Sequence, residues 1–71
     1  MTQDEFIEKM VDILDYEGEL KMDTGLEDLD EWDSLSILSF LAEMGQYAKG
    51  AINATDVKKA KTIEDLFALL S

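Results

Sequence analysis

The stretch of residues 17–31 constrains the fold more than any other part of the chain. It separates two segments of clear helical spacing and has no period of its own. Gly18 and Gly25 break any helix there. Yet Leu20, Met22, Leu26 and Leu29 are too apolar for a free linker. The loop is therefore expected to lie pinned onto the helices it joins. Structured loops of this length are unusual and often functional. A topological crossover between two helices that point the same way is the simplest architecture that needs one.

The flanking segments read as helices. Thr2-Gln3-Asp4-Glu5 is a capping box, with Thr2 as cap and Glu5 three residues on. Phe6, Ile7, Met10, Val11, Ile13 and Leu14 share one face, which predicts a helix over 3–16. A second helix is predicted over 34–48. Leu35, Leu38, Leu41, Ala42 and Gly45 form one stripe on it, and Ile37, Phe40, Leu41, Met44 and Ala48 an adjoining one. Two stripes imply neighbours on more than one side, as for the central member of a bundle. Gly50 is the expected stop after Lys49. A short helix near 56–60 follows a Thr55-Asp56 start signal. Thr62-Ile63-Glu64-Asp65 is a variant capping box opening a last helix to about Leu70. The prediction is one all-α domain over 1–71, a four-helix bundle of three main helices and a short one.

Composition narrows function by exclusion. There is no Cys, so thiol nucleophiles, thiolate metal sites and disulfides are out. There is no His, which removes a Ser-His-Asp triad and imidazole-ligated zinc. The net charge of −11 is uneven. Residues 1–33 hold 13 acids and two lysines, while residues 34–71 hold four of each. Nucleic acid and anionic membranes are poor partners for such a chain, and basic protein surfaces are good ones. No signal peptide or spanning segment is visible, so a cytoplasmic location is expected.

The loop ends in Glu31-Trp32-Asp33-Ser34-Leu35, which opens the most apolar helix of the chain. Asp33 is a good N-cap, so Ser34 falls in the first turn. A hydroxyl there is exposed and lies beside unpaired N–H groups at the positive helix end. A phosphate on it would be stabilised. Leu35 is expected to anchor the turn in the core, and Trp32 to cover the loop–helix junction.

This arrangement resembles the acyl carrier protein family along essentially the whole chain. The resemblance rests on Leu26-x-x-Leu29, on Trp32-Asp33-Ser34-Leu35, on the apolar helix that follows, and on Thr62-Ile63-x-Asp65-Leu66. It implies a 4′-phosphopantetheine arm joined to the Ser34 hydroxyl by a phosphodiester. A separate phosphopantetheinyl transferase would bring it from coenzyme A, using magnesium that Asp33 helps to place. The arm's thiol would carry acyl or aminoacyl groups as thioesters, and a chain without Cys is compatible with a sulfur that belongs to its cofactor. The chain would be a monomeric carrier and no enzyme. It would deliver intermediates to partners with basic docking surfaces in fatty acid, polyketide or related specialised biosynthesis.

The chain departs from the family's common fatty-acid members on the helix after Ser34. They carry several acids on its exposed face. Here those places hold Ser36, Ser39, Gly45 and Gln46, and Glu43 is the helix's one acid. Docking is therefore expected to shift toward Asp28, Asp30, Glu31 and Trp32. Other readings of the same residues are simpler. The cluster Glu27, Asp28, Asp30, Glu31 and Asp33 does not fit an EF-hand, because a loop starting at Asp28 lacks Gly at its sixth position and has Ser39 at its twelfth. A solvated acidic face explains it, with no metal site. Phe40, Met44 and Tyr47 could line an acyl pocket, but an apolar stripe is core by default. The alternative to a carrier is an unmodified acidic interaction module of the same fold.

Overall fold

The computed structural model describes residues 1–48 and 50–70. Four α-helices follow in chain order: α1 (Gln3–Leu14), α2 (Ser34–Met44), α3 (Ala54–Lys59) and α4 (Ile63–Ala68). No strand is present among the described residues, so the fold is all-α. α2 packs against both α1 and α3.

Each helix starts where a side chain satisfies its first N–H groups. Thr2 and Glu5 exchange bonds at 3.1 Å each at the head of α1. Thr62 and Asp65 do the same at the head of α4, at 3.2 and 3.3 Å. α3 begins two residues earlier than Thr55-Asp56 predicts, because Asn53 Oδ1 accepts from the Asp56 N–H at 2.9 Å. α1 ends at Leu14, with Asp15 left-handed at φ 49° closing the turn. α2 is shorter than predicted: it gives way to a 3-10 turn over Gly45–Tyr47, and Ala48 is already extended. The predicted stop at Lys49-Gly50 involves Lys49, which lies outside the described residues. α4 is a short helix like α3, since after Ala68 the bonds tighten to Leu69 N–H with Leu66 O and Leu70 N–H with Phe67 O.

One apolar cluster holds these elements. Phe6, Met10, Phe40, Met44, Val57, Ile63 and Leu66 are its fully buried members. Phe6 meets the edges of Phe40 and Phe67 at centroid distances of 6.3 and 5.1 Å, joining α1, α2 and α4. The long loop belongs to this core. Leu20, Leu26 and Leu29 are buried and Met22 half-buried, as its apolar content predicts. What the sequence leaves open is where the loop lands, and the backbone decides that. The Met22 and Thr24 carbonyls accept from the Glu64 and Ile63 N–H groups at 2.8 and 3.1 Å, and the Leu26 N–H donates to Lys61 O at 2.8 Å. Two otherwise unpaired N–H groups of α4 are thus satisfied by the loop. A 3-10 turn over Leu26–Asp28 carries the chain from this landing toward Trp32.

A site at the head of α2

Ser34 is the first residue of α2 and is exposed. Asp33 caps the helix: its Oδ1 accepts from the Leu35 and Ser36 N–H groups at 3.0 and 3.1 Å. Ser36 completes a reciprocal box that the sequence reading missed. Its Oγ accepts from the Asp33 N–H at 2.7 Å and donates to the Glu31 carbonyl at 2.8 Å. The carbonyl and Oδ1 of Asp33 lie at 3.0 and 3.3 Å from the same hydroxyl. Residues 31–36 are therefore tied into one rigid turn. The signal was present as Asp33-x-x-Ser36, but a capping box is normally sought with Glu or Gln at that place.

Ser36 is accordingly buried, not on the exposed face of the helix where the sequence places it. Leu35 also departs from its expected place. It does not anchor the turn in the core but is 74% exposed, and Leu38 is 61% exposed. The cause is helical angle. Ser36, Ile37, Phe40 and Met44 share the buried arc of α2, and Leu41 borders it. Leu35, Leu38 and Ala42 lie on the opposite side, where no neighbour covers them. Of the two apolar stripes in the sequence, one is core and the other is surface. Ser34 sits at the border between the arcs, beside the exposed leucines.

Phe40 and Met44 are fully buried core residues, whereas Tyr47 is 44% exposed. The Lys9 ammonium lies 5.2 Å from the Tyr47 ring centre and ties α1 to the turn after α2. Trp32 is half-buried and meets Phe40 edge-on at 6.3 Å, so the junction rests on the central aromatic contact of the core. Asp28, Asp30, Glu31 and Asp33 are exposed. Among the described residues no group of three or more carboxylates gathers in a metal-holding arrangement.

The electrostatics of this corner are set by position. α2 has no acid in its first turn, and the charge that offsets its positive end is the capping carboxylate of Asp33, which already pairs the Leu35 and Ser36 N–H groups that the sequence reading expected to be unpaired. The acids stand just before it, in the loop. Asp33 spends only Oδ1 on the cap; among the described residues its Oδ2 forms no hydrogen bond. What the arrangement offers chemically is an exposed hydroxyl, fixed in place, beside N–H dipoles and one free carboxylate oxygen. Compared with known proteins, the chain matches no family model, no curated protein and no solved structure.

Proposed function

We propose that this chain is an acyl carrier, modified on Ser34 by a 4′-phosphopantetheine arm, with its helices arranged as the four-helix bundle of that family. The observation that carries the reading is the state of Ser34. It is an exposed hydroxyl at the first position of a helix whose cap is locked by Asp33 and Ser36. Reaction at a side chain needs both access and a fixed position, and this residue has both.

The residues present fit the group. When bound, the arm supplies the thiol that forms the thioester. The chain's own part is to hold and present. The Ser34 Oγ–phosphorus bond would form as the pyrophosphate bond of coenzyme A breaks, with adenosine 3′,5′-bisphosphate as the leaving group and the hydroxyl proton passing to the transferase or to solvent. The new phosphodiester would lie at the positive end of α2, next to the Ser34 N–H. Asp33 Oδ2 is available to a magnesium ion brought in with coenzyme A. Leu35 and Leu38 give a partner an apolar footing next to the modified residue. Asp28, Asp30 and Glu31 give its basic groups a place to pair. The partners of this reading are a phosphopantetheinyl transferase and acyl-loading and acyl-processing enzymes of the cytoplasm.

Intact mass after incubation with coenzyme A, magnesium and a broad-specificity transferase tests the reading. One phosphopantetheine per chain is expected, and none on Ser34→Ala. An unchanged mass would leave the exposed leucines and acids as the surface of an unmodified interaction module, and equal labelling of the Ala variant would put the modification at a residue other than Ser34.

A further inference from the structure

α1 and the long loop leave a groove between them. It has a volume of about 460 Å³ and is walled by Asp4, Ile7 and Glu8 of α1 and by Glu19, Lys21 and Met22 of the loop. Ile7 and Met22 pack on the core yet stay only half-buried, so each keeps apolar surface open to the groove. Asp4, Glu8 and Glu19 are exposed. No part of α2 and none of residues 28–33 lines the groove, so it is separate from the site at Ser34.

The charge on α1 is arranged in rows. Asp4, Glu8 and Asp12 follow one another at four-residue spacing, and Ile7 and Val11 form a half-buried apolar row beside them. Successive members of a row stand about 6 Å apart. Like charges at this spacing destabilise a helix by themselves. Nothing within the chain offsets them: among the described residues no ion pair or side-chain hydrogen bond takes up these carboxylates or that of Glu19. Lys9, the one lysine of α1, is held 5.2 Å from the Tyr47 ring centre instead. A solvated face needs charge but no particular sign, and an ordinary one mixes both. An unbroken acid row next to an open apolar row is complementary to a helix of the reverse pattern.

We infer that this groove docks a cationic amphipathic helix of a partner protein. Lys or Arg side chains four residues apart would pair with Asp4, Glu8 and Asp12, and apolar side chains on the adjoining row would cover Ile7 and Met22. Glu19 closes the acid wall on the loop side. A helix is the form that fits, because it satisfies its own backbone. An extended segment would need a sheet edge, and among the described residues there is no strand to supply one. The net charge of −11 draws such a partner in from a distance, and the apolar row selects it over a simple polycation. Lys21 opposes a cationic ligand, which gives the groove a second handle for testing. The inference goes beyond the carrier reading and does not use Ser34.

A dye-labelled peptide of about 14 residues is long enough to run the length of α1. It carries Lys at every fourth position, Leu in the adjoining row and Ala elsewhere. Fluorescence anisotropy is expected to show binding that NaCl weakens. Amide shifts in NMR spectra of the complex should concentrate in residues 3–12 and 19–22. Asp4→Asn with Glu8→Gln should weaken binding about fivefold, and Lys21→Gln should strengthen it. If that double variant loses its helical circular dichroism, Glu19→Gln in the loop takes its place, with an expected loss of about twofold. Ser34→Ala should bind the peptide as the unaltered chain does, whether or not a transferase labels Ser34. The inference is overturned by an absence of binding at about 1 mM peptide, by equal binding of a peptide with Ala in place of Leu, or by shifts centred on residues 28–33 and the head of α2.

Discussion

The Ser36 hydroxyl donates to the Glu31 carbonyl at 2.8 Å, across five residues and the start of a helix. It closes the loop onto α2 and accepts from the Asp33 N–H at the same time. Ser36→Ala removes both bonds and leaves part-buried polar groups unsatisfied. A loss of about 1–2 kcal/mol is expected in urea unfolding. Ser36→Asp should also destabilise, because a charge would enter a buried position. Unchanged midpoints in both variants would show that the turn is held by Asp33 alone.

The exposed leucines predict a separation of stability from docking. Leu35→Ser and Leu38→Ser should alter stability by no more than about 0.5 kcal/mol. Leu66→Ala, in the core, should cost about 2–5 kcal/mol. Urea titrations of the three variants decide this. A loss above about 2 kcal/mol at Leu35 would mean that the residue is covered in solution.

Partner choice follows from where the acids lie. α2 offers Glu43 alone, and the loop before it offers Asp28, Asp30 and Glu31. Under the proposed function, loading by a general malonyl transferase is expected to be poor and to improve with Ser39→Glu, at an exposed position of α2. Asp30→Lys with Glu31→Lys should slow association with any basic partner, and more so at low salt. Stopped-flow association rates measure both effects. Efficient loading of the unaltered chain, with no gain from Ser39→Glu, would show that the missing helix charges do not set the choice.

Two glycines should respond in opposite directions. Gly18 has φ 120°, a conformation that side chains rarely adopt, and an added Cβ would meet the Tyr16 ring at 3.4 Å. Gly18→Ala should cost about 1–2 kcal/mol. Gly45 has φ −58° with open space around it, so Gly45→Ala should stabilise by about 0.4–1 kcal/mol. Thermal melts that move both variants the same way would refute the backbone argument.

Charge crowding sets the response to salt. With 13 acids in residues 1–33, mutual repulsion opposes the folded state, and the melting temperature should rise with NaCl or MgCl2. Glu5 contributes in its own direction. Bonds from the Thr2 backbone and side chain hold its carboxyl below the usual carboxylate value. Its stabilising effect is therefore present above the unfolded-state pKa and lost as pH falls through the lowered folded value. In Glu5→Gln that acid-side contribution should disappear from the pH dependence of the melt. A melting temperature that is flat or falls on adding salt would contradict the repulsion argument.

Local chemistry alone determined much of this molecule. The caps at Thr2, Asp33 and Thr62 lie within three or four residues of the groups they satisfy, so their sequence spacing carried the answer. The first turn of α2 and the exposure of Ser34 follow from Asp33 in the same way. The apolar residues of the long loop showed that it must be covered, because unburied leucines in a connection have no other use. Tertiary structure decided the rest. Periodicity revealed two apolar stripes on α2 but could not say which one a neighbour would cover. That depends on how many helices surround it, and the Leu35–Leu38 stripe was left outside. Ser36 became a buried link only because the loop returns the Glu31 carbonyl to it. Trp32 and Glu27 of the loop share one groove with Lys58, Lys59 and Lys61 only because backbone bonds from Leu26, Ile63 and Glu64 bring the loop against the α3–α4 connection. Sequence spacing fixes which groups need partners nearby, and packing between distant segments fixes which surfaces are left to meet something else.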